Sequence, residues 1–130
     1  MALLTVYTSG CFVIVSIAGI IKNSCMGPWF FILSIVSSLN HTFTKVDEKG
    51  IRTQTNNIIN ICDKCIAHYI TGRVFIHNWY APNTLSLLCL LWVLYVYKIK
   101  NLCAIPGRRG ELFHCSIHTV SSLGCLVLLR

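Results

Sequence analysis

Residues 79–97, WYAPNTLSLLCLLWVLYVY, contain no charged side chain, with two aromatic residues at each end and two lysines just beyond. This arrangement is typical of a membrane-spanning helix, because amphipathic rings are favoured at headgroup depth and basic residues are favoured beside them. We therefore predict a transmembrane helix over 79–97, with Pro82 in its first turn, where a missing N–H is tolerated. The predicted interface anchors are Trp79, Tyr80, Tyr95, Tyr97, Lys98 and Lys100.

Three further apolar segments flank this one. Residues 2–21 lack charge and are long enough as a helix to cross a hydrocarbon layer of about 30 Å, so they predict a transmembrane helix or signal anchor. Residues 26–43 predict a short membrane or re-entrant helix, since the apolar part alone is too short for a full span. Residues 112–129 are a weaker candidate for a transmembrane helix, because they include histidines and serines.

A cleaved secretory signal is the alternative for the first segment. Ser16, Ile17 and Ala18 resemble a cleavage site after an apolar run. However, no Lys or Arg precedes that run, whereas a secretory signal begins with a positively charged region. We therefore favour an uncleaved anchor.

Two polar segments separate the apolar ones. Residues 44–78 are interpreted as a polar loop, and residues 98–111 as a basic turn broken by Pro106 and Gly107. The predicted fold class is all-α: a small membrane protein with two to four hydrophobic helices and no soluble domain core. The predicted location is a membrane that the chain crosses several times.

The composition narrows the classes of function. Hydrophobic residues make up 55% of the chain and charged residues 12%, against about 25% charge in soluble domains. This excludes intrinsic disorder, which needs low hydrophobicity and high charge. The net charge of +7 is scattered along the chain, so we expect contact with anionic lipid headgroups rather than with nucleic acid.

Cysteine and histidine give two weak signals for metal binding. Cys62, Cys65, His68 and His77 include one CxxC, but their spacing matches no common zinc pattern. His114 and His118 would share one face of a helix, where they could hold a metal ion or haem, or relay protons. The alternative is a polar face packed on a neighbouring helix. We predict no metal site and no cofactor.

The sequence gives little support for a catalytic function, because it contains no nucleophile elbow, phosphate-binding loop or dinucleotide fingerprint. We expect no enzyme and no small-molecule substrate. The favoured function is that of an integral membrane protein acting through contacts with the lipid bilayer and with other transmembrane helices. Two alternatives remain: an open reading frame without a selected function, and a cysteine-rich secreted fragment or weak zinc-binding loop.

Overall fold

The described part of the chain is mostly helical, which confirms the coarse prediction of a helical protein. A computed structural model describes residues 3–46, 52–103 and 107–129. Its elements in chain order are α1 (Leu3–Ser9), α2 (Cys11–Ile21), α3 (Gly27–Thr42), β1 (Thr44–Val46), β2 (Arg52–Gln54), α4 (Asn57–Tyr80), α5 (Thr84–Cys103) and α6 (Gly107–Leu126). The two short strands form an antiparallel pair in which Lys45 lies opposite Thr53.

A tight corner after Ile21 turns the chain back on itself between α2 and α3. Asn23 adopts a left-handed backbone conformation with φ 55°, and its N–H donates to the carbonyl of Ile20 while the N–H of Ser24 donates to that of Gly19. This pattern is a Schellman motif, in which Asn is the usual substitute for Gly. Pro28 then opens α3, where its fixed φ suits the first turn.

Residues 44–78 differ from the predicted polar loop. They contain the strand pair and most of α4, a helix of 24 residues. The side chain of Asn56 caps α4 by accepting a hydrogen bond from the N–H of Ile59 at 3.2 Å. On its inner side Ile66, Ala67, Ile70 and Val74 pack against the core at helical spacing, a pattern that the surrounding polar residues obscure.

The predicted helix over 79–97 is wrong at its start. Tyr80 ends α4, and α5 begins at Thr84. Pro82 disfavours the helical conformation at the preceding residue, Ala81, so it ends one helix instead of opening the next. Asn83 then caps α5 by accepting a hydrogen bond from the N–H of Ser86 at 3.1 Å.

The basic turn over 98–111 is shorter in the structure than predicted. Helix α5 continues to Cys103 and α6 begins at Gly107, while residues 104–106 lie outside the described part. The segments 2–21, 26–43 and 112–129 are mostly helical, with Gly10 between α1 and α2, and with Met26, Phe43 and residues 127–129 just outside the helix ends.

The core lies where α2, α3, α4 and α6 meet. Its buried apolar residues are Phe12, Val15, Phe30, Leu33, Ile70 and Cys125. The helices α5 and α6 pack along each other, as do α2 and α3, and α1 lies against both α3 and α6. This packing brings α1, α3 and α6, which are far apart in the sequence, together beside the core.

Among the described residues, one helical stretch is long and apolar enough to cross a bilayer. It covers Leu4–Ile21, with a mean hydropathy of 2.0 and a third of its residues buried in the bundle. Thr84–Ile99 is apolar but shorter. Length and composition therefore support one span, and they do not support the several spans predicted from the sequence.

Candidate functional site

The predicted interface anchors lie at both ends of α5. Trp79 and Tyr80 are exposed at the end of α4, just before α5 begins. Tyr95, Tyr97 and Lys98 are exposed near the other end of α5, and the side chain of Lys100 lies outside the described part. Their role as anchors stays a prediction.

The four weak metal candidates do not form a group. Cys62, Cys65, His68 and His77 all lie on α4 with exposed side chains. His77 follows His68 by nine residues, which corresponds to about 13 Å along a helix axis. Within the described part of the chain, these four side chains do not make up a set of three or more neighbouring ligand atoms.

A different set of histidines does converge inside the bundle. His41 on α3 meets His114 and His118 on α6, and one ligand nitrogen from each lies within 4.8 Å of the others. The Nε2 atoms of His41 and His114 are 3.1 Å apart. His41 and His118 are buried, and His114 is half-buried. We call these three residues the histidine cluster.

Helix α1 supports the histidine cluster from one side. The Nδ1 atom of His118 lies 3.0 Å from the hydroxyl oxygen of Thr8. The same hydroxyl lies 3.2 Å from the carbonyl of Thr5, to which it can also donate. In the tautomer of His118 that carries its hydrogen on Nδ1, Thr8 accepts from that ring and Nε2 presents a lone pair.

The histidine cluster borders a cavity of about 530 Å³. Part of the cavity wall is apolar, with Phe12, Phe30 and Ile117 among its residues, and the rest carries polar groups. Asp63 of α4 lies in the polar part and accepts a hydrogen bond of 2.6 Å from Asn40 Nδ2, next to His41 in sequence. The cluster thus faces a space large enough for water or a small ligand.

For His114 and His118 the sequence predicted a shared helix face but no metal site. The structure places both on the inner side of α6. The sequence analysis missed His41, because the approach of its ring to His114 and His118 depends on the packing of α3 against α6. The available signal was an ionisable side chain at the end of an apolar segment, since such residues are expensive in a membrane and tend to be functional.

The bundle exposes many large hydrophobic side chains and buries many polar ones. Among the described side chains, twelve of the buried ones are polar and nine are apolar, whereas 28 large hydrophobic side chains are exposed. Small hydroxyl groups join the helices: Ser16 Oγ donates to the carbonyl of Gly27 at 2.8 Å, and Ser9 and Ser37 pair their hydroxyls at 3.1 Å. Small residues and hydroxyls at helix interfaces are characteristic of membrane bundles.

Comparison of this chain with protein-family models, with curated proteins and with solved structures finds no match.

Proposed function

We propose that the chain is a small integral membrane protein whose apolar outer faces on α2, α3 and α5 contact lipid. The observation that carries this proposal is the large number of hydrophobic side chains on the surface of the bundle, together with the polar groups between its helices. In water, an exposed apolar surface of this extent would drive association, whereas in a bilayer it is the favourable surface.

The exposed apolar residues form continuous outer faces on these three helices. On α2, Ile14 is 60% exposed and Ile17 54%. On α5, Leu88 is 58% exposed and Leu91 62%. The exposed apolar residues of α3 are Trp29, Phe31, Ile32, Ile35 and Leu39. Helix α4 also exposes large hydrophobic residues, but Lys64 and Arg73 are exposed among them, so we place α4 nearer to the headgroups.

Such a protein acts through contacts between helices and with lipid. The interior hydrogen bonds hold the helices together where apolar attraction between them is weak, because lipid tails are as apolar as the side chains. The exposed apolar faces are then available both to lipid and to helices of other membrane proteins.

Substitution of outer-face residues by lysine tests the proposal. For the double variant Ile14→Lys with Ile17→Lys, we expect loss of membrane retention, because each lysine near a span centre costs about 3 kcal/mol. The measurement is the fraction of an epitope-tagged chain that stays in the membrane pellet after carbonate extraction. Ile58→Lys with Ile61→Lys is the matched control, since both residues are exposed on α4 at the same spacing, outside the proposed lipid-facing surface.

The same measurement on Leu88→Lys with Leu91→Lys tests α5 separately. Reduced retention supports insertion of α5, and unchanged retention overturns that part of the proposal. A wild-type chain recovered in the soluble fraction, or unchanged retention of the α2 double variant, overturns the proposal as a whole.

A further inference from the structure

We infer that His41, His114 and His118 bind one divalent transition-metal ion of the zinc class inside the helix bundle. This inference goes beyond the proposed membrane function and does not depend on it. It rests on the geometry of the three rings, their chemistry, and the contacts that orient them.

The distances are close to those of a metal site. Zinc–imidazole bonds of 2.0–2.1 Å in a tetrahedron place the ligand nitrogens about 3.4 Å apart. The Nε2 atoms of His41 and His114 are 3.1 Å apart and share a hydrogen bond, so the ring that donates must move this hydrogen to Nδ1 or release it when both rings ligate. None of the three ligand atoms is more than 4.8 Å from another, so the widest pair has to close by at most about 1.4 Å to reach the tetrahedral spacing.

The ligand set selects the class of ion. Three imidazoles suit zinc, copper or nickel, whereas calcium and magnesium prefer oxygen ligands. His114 and His118 are separated by three residues on one helix, a spacing that recurs in zinc sites. The third ligand comes from another helix, so an ion here would also join α3 to α6.

The surroundings of His118 favour ligation through Nε2. When Nδ1 donates its hydrogen to the Thr8 hydroxyl, 3.0 Å away, Nε2 carries the lone pair that a metal needs. A hydrogen bond from the second ring nitrogen to a protein oxygen is the usual support of a metal-bound histidine. The ring of Phe12, with its centroid 5.4 Å from that of His118, restricts the ring further.

The fourth coordination position would face the cavity. Structural zinc sites use four protein ligands, whereas sites that exchange water or substrate use three and leave one position open. Three histidines beside a cavity of about 530 Å³ match the second type. We therefore expect an ion with an exchangeable ligand.

Cobalt titration of the full-length chain tests the inference. The protein is purified in detergent and freed of metal with a chelator, and Co²⁺ is added while its visible d–d absorption is recorded. We expect one Co²⁺ per chain with a tetrahedral spectrum, displaced by Zn²⁺. His114→Ala should weaken binding by about 100-fold or more, and Thr8→Val by about 10–100-fold, the usual effect of removing an outer-shell partner.

Controls separate ligand loss from unfolding. His114 is half-buried, so its replacement disturbs packing less than replacement of His118, and helicity by circular dichroism verifies the fold. Thr8→Ser keeps the hydroxyl and should keep the affinity. His77→Ala removes an exposed histidine of α4 that does not line the cavity and should leave binding unchanged.

Three results would overturn the inference: a folded wild-type chain that gives no cobalt spectrum, binding unaffected by His114→Ala, or binding lost in Cys62→Ser with Cys65→Ser. The last result would move the ion to α4. None of them bears on membrane retention, so failure of this inference and failure of the proposed function are distinguishable.

Discussion

Asn78 is the residue that joins α4 to α5 at their corner. Its side-chain nitrogen donates to the hydroxyl of Ser86 and to the carbonyl of Val74, each at 3.0 Å, and its oxygen accepts from the N–H of Asn83 at 3.0 Å. Asn78 is buried, so water is poorly placed to replace these bonds. One side chain therefore fixes both the end of α4 and the start of α5.

Replacing Asn78 should destabilise the bundle more than replacing its exposed neighbour. Asn78→Ala leaves buried polar groups without their partner, at about 1–3 kcal/mol for each group. We expect a lower midpoint of thermal unfolding, measured by circular dichroism in detergent. His77→Ala is the control, because His77 is exposed. Equal midpoints for the two variants would show that the corner does not depend on Asn78.

At the same scale, local residue patterns were visible in the sequence and long-range partners were not. The spacing of His114 and His118 predicted a shared helix face, because a helix repeats every 3.6 residues. The partners of His118 are 77 and 110 positions away, at His41 and Thr8. Such approaches depend on how whole helices pack, which no local pattern determines.

At the scale of elements, two glycines show where the helices approach closely and where they do not. A Cβ atom added at Gly124 on α6 would lie 2.8 Å from the Cβ of Cys89 on α5. A Cβ atom added at Gly72 on α4 would meet nothing within 4 Å. The first glycine allows close packing of α5 and α6, whereas the second leaves its helix less stable than alanine would.

Alanine at these two glycines should therefore have opposite effects on stability. Gly124→Ala should destabilise the bundle by about 1–3 kcal/mol, because the added methyl group forces α5 and α6 apart. Gly72→Ala should stabilise it by about 1 kcal/mol through helix propensity alone. Denaturation monitored by circular dichroism in one detergent measures both. Stabilisation by both substitutions would contradict the close contact at Gly124.

The elements also show how far apolar patterns can be trusted. The apolar segments correctly predicted helices. A long run of uncharged residues can be buried or can face lipid, and a helix satisfies its own backbone hydrogen bonds in either place. The pattern missed α4, where Ile66, Ile70 and Val74 supply an inner stripe among polar residues. The pattern also assigned Tyr80 to the same helix as α5. The apolar residues continue across Pro82, but the helix is interrupted there.

At the scale of the whole molecule, α2 and α3 form an antiparallel pair whose two ends lie far apart. Cys25 is exposed in the corner between them, and Thr53 is exposed in the strand pair that follows α3. Helix α3 has 16 residues, so about 24 Å separates its ends. If α3 crosses a bilayer, a modest local thinning accommodates the difference from about 30 Å, and the two positions face opposite sides.

Labelling of these two positions should therefore depend on the side of the membrane. In a background in which Cys11, Cys62, Cys65 and Cys103 are replaced by serine, we compare native Cys25 with Thr53→Cys combined with Cys25→Ser. A membrane-impermeant maleimide applied to sealed vesicles should label one of the two proteins, and detergent should make both reactive. The cysteines of the bundle interior, Cys89, Cys115 and Cys125, are buried and add little background. Equal labelling of both positions in sealed vesicles would place the corner and the strand pair on one side, and α3 would then lie along the membrane instead of crossing it.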